Sequence, residues 1–125
     1  MGANDVNTNH QGIWDEAEAL KRVVGKEEIL AAMVESFLHT MPGYAKQLAD
    51  DLASKDIQAA AVSSHALKGA AANLSTLALA DVAGNIEQAC RNNESLEEVL
   101  AHYVRFEVIF KQSYSVLSDW QEARK

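Results

Sequence analysis

Apolar residues recur at three- and four-residue spacing along the chain from Trp14 onward, which is the period of helices that bury one face. Asp15 predicts the cap of a short helix running to about Val23, ended by Gly25. Glu27 and Glu28 then fall in the first turn of a second helix, where carboxylates meet the positive end of the helix dipole. The apolar face of that helix is Leu30, Met33, Val34, Phe37 and Met41. Pro42 suits a first helical turn, so a third helix is expected to begin there, with Tyr44, Leu48 and Leu52 as its stripe. Asp56 is the expected N-cap of a fourth helix over about Ile57 to Leu74. Ser75 or Thr76 is expected to cap a fifth helix, which buries Leu79, Val82, Ala83, Ile86 and Cys90 and reaches about Arg91. After the turn at Asn92-Asn93, Ser95 and Glu98 form a capping box. A long last helix follows, striped by Leu96, Val99, Tyr103, Phe106, Phe110, Leu117 and Trp120.

Short connections between such helices make neighbours antiparallel. The expected fold is all-α, an antiparallel up-and-down four-helix bundle with an additional short N-terminal helix or helices, occupying residues 13–125 as one domain. Residues 1–12 are polar and aperiodic and are expected to be a flexible leader or the end of a linker, with no role for His10.

Composition narrows the class. With 125 residues and 48% apolar side chains, the chain can bury a core without disulfides, and Cys90 is its only cysteine. A formal net charge of −7, from 18 acidic and 11 basic residues, argues against binding to nucleic acid or anionic lipid. No apolar run approaches the roughly 20 residues that span a bilayer, and no signal peptide is visible at the start. A cytoplasmic setting without membrane contact is therefore the expectation.

The candidate chemistry lies in His65-Ala66-Leu67-Lys68-Gly69-Ala70-Ala71-Ala72-Asn73-Leu74. At about 100° per residue, Ala60, Ser64, Leu67, Ala71 and Leu74 share the core side, and His65 lies roughly 160° from Leu67. His65 should face outward, with Ala61, Lys68, Gly69 and Ala72 as its surface neighbours. A neutral imidazole can be a nucleophile. Lys68 could pair with phosphoryl oxygens, while Gly69, costly inside a helix, clears space beside the ring.

The stretch from His65 to Leu74 resembles the signature of histidine phosphotransfer (HPt) domains: histidine, any residue, leucine, lysine, glycine, a run of small residues, then leucine. The lead-in from Trp14 to Leu20, the segment Gly25 to Leu30, Phe37 and the Ile86-Glu87 pair extend the likeness to about residues 13–92. It is similar to HPt domains attached to hybrid sensor kinases. One departure is Ser75, where the family often has glycine, and a changed turn is expected there.

The resemblance implies that His65 is the phosphoacceptor, Lys68 stabilises the phosphoryl group and Gly69 gives steric clearance, with Ala61, Val62, Ala72 and Glu87 as partner-binding positions. A receiver-domain aspartate would supply the phosphoryl group and a second receiver aspartate would take it. The resemblance also implies a carrier without its own nucleotide site, not an autonomous kinase. It would hold no cofactor or metal, Mg²⁺ belonging to the receiver, and would be a monomer or one domain of a hybrid kinase. The alternative is a helical interaction module with no chemistry. A metal site built from Glu35, His39 and His102 lacks the spacing of known ligand sets.

Overall fold

A computed structural model describes residues 12–125, so His10 and the expected leader up to residue 11 lie outside the described residues; Gly12 is helical. Five helices follow: α1 (Glu16–Arg22), α2 (Glu27–Ala53), α3 (Ile57–Asn73), α4 (Leu77–Arg91) and α5 (Leu96–Glu122). Helix α2 packs on α3, α3 on α4 and α4 on α5, and α5 returns to α2, closing a four-helix bundle to which α1 is added.

Two expected helices are one. Pro42 lies inside α2 and is exposed. Proline removes one N–H, but on the outer face the carbonyl of Leu38 that would have accepted it can turn to water. Inward, Leu30, Val34, Phe37, Met41, Leu48 and Leu52 are all buried in one stripe that passes Pro42 without a break. Tyr44 is not in that stripe, being 46% exposed; the partly buried Ala45 fills the gap instead.

Each of the first four helices ends in the same way. Val24, Lys55, Ser75 and Asn93 take φ between 56° and 62°. The next residue then donates its N–H back across the last turn: Gly25 to Leu20, Asp56 to Asp51, Thr76 to Ala71 and Glu94 to Ala89. This is the Schellman closure, which satisfies carbonyls left open at a helix end. At the N-termini, Asp15, Asp56 and Ser95 accept from the backbone of Glu18, Ala59 and Glu98. The α4 cap differs from expectation. Thr76 is the N-cap but makes no capping bond; its hydroxyl donates to the Ala71 carbonyl at 2.7 Å. Ser75 is spent on the left-handed turn.

The two tryptophans are packing elements. Trp14 donates from Nε1 to the Leu74 carbonyl at 2.8 Å and meets Trp120 edge-to-face at 5.4 Å. Trp120 in turn donates to Glu16 at 2.9 Å. These contacts tie the N-terminal segment to the α3–α4 turn and to the end of α5.

Candidate functional site

Helix α3 runs between α2 and α4. Ala60, Ser64, Leu67 and Ala71 are buried as the helical period predicts, and Leu74 is buried just past the helix end. Ser64 hides its hydroxyl by donating to the Ala60 carbonyl at 2.7 Å. Ala61 is buried as well, at 5% exposure, which removes it from the expected docking surface. A helix packed on two flanks has a wider buried arc than one packed on a single partner, and Ala61 falls within it. Val62 is 66% exposed, Gly69 is exposed and Ala72 is half-buried.

The His65 side chain stands 63% exposed. Its Nδ1 lies 3.0 Å from Oε2 of Glu87, one helix over on α4. Glu87 is nearly buried, and its carboxylate is shared further. Lys68 Nζ reaches Oε1 at 3.3 Å, and Arg91 donates from Nε to Oε2 at 2.9 Å. Burial alone would raise the Glu87 pKa. The hydrogen bonds from Arg91, His65 and Lys68 outweigh it and hold the carboxyl at about 2. Glu87 is therefore an anion at neutral pH, and an anionic carboxylate can only accept. The proton of a neutral His65 ring belongs on Nδ1, which leaves the lone pair on Nε2.

Glu87 was expected among the partner-binding positions and, from the resemblance, near a place where some family members hold a polar side chain close to the histidine. Its contacts are to the site's own side chains. Arg91 was missed by sequence reasoning, although its place four residues after Glu87 on one helix was the available signal. Two cations, Lys68 and Arg91, thus share the one carboxylate beside His65.

Two glycines clear space for different purposes. A Cβ on Gly84 would lie 3.1 Å from Cδ of Lys68, so its absence lets the lysine stem cross α4. A Cβ on Gly69 would meet nothing within 4 Å. No intramolecular contact requires glycine at position 69, and the space it leaves opens outward. Among the described residues no cluster of three or more His, Cys, Asp or Glu side chains is placed to hold a metal ion.

The family model of the Hpt domain matches residues 32–120. The chain belongs to the Hpt domain family. Histidine phosphotransfer in two-component signalling is the function of that family. The phosphorelay intermediate protein rdeA of Dictyostelium discoideum is 26% identical over 98 residues, which cover 78% of this Hpt chain and 38% of that protein. The match thus spans about two fifths of that relative's length. Among solved structures, the HPT domain of an Hpt sensor hybrid histidine kinase from Shewanella superposes with a TM-score of 0.79. The superposition covers 90% of this chain and 96% of that one at 14% identity, and it shows the shared fold. No helix among the described residues of this Hpt domain is long and apolar enough to cross a membrane.

Proposed function

We propose that His65 is the phosphoacceptor of a phosphorelay and that its Nε2 takes the phosphoryl group. The observation that carries this reading is the exposed ring with Nδ1 held on the Glu87 carboxylate. The Nε2 lone pair attacks the phosphorus of a receiver's aspartyl phosphate. An N–P bond forms, the acyl-phosphate P–O bond breaks, and the electron pair leaves with the aspartate carboxylate. The proton stays on Nδ1, where Glu87 faces the ring's new positive charge. Transfer to a second receiver reverses these steps with a fresh aspartate as nucleophile. Positioning and charge stabilisation supply the catalysis.

Lys68 leaves Glu87 and pairs with the incoming phosphoryl oxygens. Gly69 admits the receiver, and Val62 and Ala72 belong to the surface it docks on. Mg²⁺ sits in the receiver's acidic pocket and this chain needs no cofactor. The domain works on the cytoplasmic side, as a monomer or attached to a hybrid sensor kinase, without touching nucleic acid or membrane.

A radiolabelled phosphorylated receiver tests this. Wild type should gain acid-labile, base-stable label and His65→Gln should gain none while keeping its helical circular dichroism. Label on the variant would refute the assignment. A folded wild type that takes no label from any receiver would favour a helical interaction module.

A further inference from the structure

Helix α4 carries three residues that face the acceptor helix with separate jobs. Gly84, Glu87 and Arg91 lie at i, i+3 and i+7, within roughly 60° of one another around the helix. Gly84 makes room for the Lys68 stem. Glu87 divides its two oxygens, Oε1 to Lys68 and Oε2 to His65 and Arg91 together. Arg91 is the last residue of α4, where the open carbonyls of the helix end favour a cation. Its hydrogen bond falls on the same oxygen that takes His65.

We propose that Arg91 is a positioning residue. It pins Oε2 of Glu87 so that this oxygen holds Nδ1–H of His65 and aims Nε2 outward. Arg91 thereby acts on the acceptor ring without touching it. An exposed i, i+4 ion pair is ordinarily worth little, but here the carboxylate is nearly buried and its rotation would release the ring. Gly84 leaves room for the lysine beside the clamp, since a Cβ there would meet Lys68 Cδ at 3.1 Å and make the stem give by a few tenths of an ångström. The proposal rests on His65 being the acceptor, and its first measurement needs no receiver at all.

That measurement is ring-nitrogen NMR of the full chain at alkaline pH, where an imidazole is neutral. The His65 signals are assigned among four histidines by their loss in His65→Gln. In wild type, Nδ1 should read as the protonated nitrogen and Nε2 as the one bearing the lone pair. In Arg91→Ala the two signals should move toward a tautomer mixture, and label acceptance from a phosphorylated receiver should slow by about tenfold. Arg91→Lys should restore part of both. Gly84→Ala, which crowds only the Lys68 stem, should leave the tautomer in place. Unchanged ring signals in Arg91→Ala overturn the proposal. That holds even if transfer slows, because Arg91 would then act on the phosphoryl group itself. If wild type shows the single tautomer but accepts no label, the acceptor reading fails while the clamp stands.

Discussion

Glu87 is the residue on which the charges of the site converge, and it makes the site sensitive to acid. Its carboxyl is held at about 2 in the fold, below an ordinary value of 4.5. A depressed carboxyl adds stability that is complete above its unfolded pKa and disappears as pH falls through the folded one. The stability difference between wild type and Glu87→Gln should therefore be largest near neutrality and shrink between pH 4.5 and about 2. Urea denaturation at several pH values measures it, and a difference independent of pH would count against the ionic role. That His65 faces outward with Lys68 and Gly69 beside it was legible from helical spacing, and the roles expected of them came from the resemblance to HPt domains. The resemblance put Glu87 near the histidine, but a helical wheel ranks residues within one helix, so its ion pairs with Lys68 and Arg91 and its hold on His65 across the helix–helix interface were not legible from spacing.

The turns show what an element requires beyond its stripe. Ser75 sits at φ 62°, fully buried, with a hydroxyl that has no hydrogen-bond partner. A left-handed conformation and an orphaned hydroxyl each disfavour serine. Glycine relieves both, at the cost of a freer unfolded chain. Ser75→Gly should stabilise the protein by about 1 kcal/mol in chemical denaturation; a loss of stability would show that the serine has a compensating contact. Serine thus holds this turn at an energetic cost that glycine would not carry. Pro42 carries the opposite lesson. As a local signal it marks a helix start, yet the apolar period from Leu30 to Leu52 continues through it, and burial of that stripe outweighs one lost backbone bond.

At the scale of the molecule, the site gathers two cations and one carboxylate beside His65 on a chain of net charge −7. The contacts of Trp14 at the end of the acceptor helix serve stability. Replacing Trp14 by Phe keeps an aromatic contact with Trp120 but leaves the buried Leu74 carbonyl without its donor. That change should destabilise the fold by about 2 kcal/mol. Phosphoryl acceptance at His65, assayed well below the melting temperature, should stay at the wild-type rate. Slowed transfer in a folded Trp14→Phe would mean that strain at the α3–α4 turn reaches the acceptor.

Local rules decided much of this protein in advance. The hydrophobic period determined that it is helical and which face of α3 is buried, and the caps at Asp15, Asp56 and Ser95 determined where helices begin. Those are interactions between residues a few positions apart, which the order of residues specifies directly. Three matters waited for the packed bundle: the continuity of α2 past Pro42, the burial of Ala61, and the meeting of His65 and Lys68 with Glu87 and Arg91. Each depends on which surfaces of separate helices come together, and on how much apolar burial or charge pairing that contact brings.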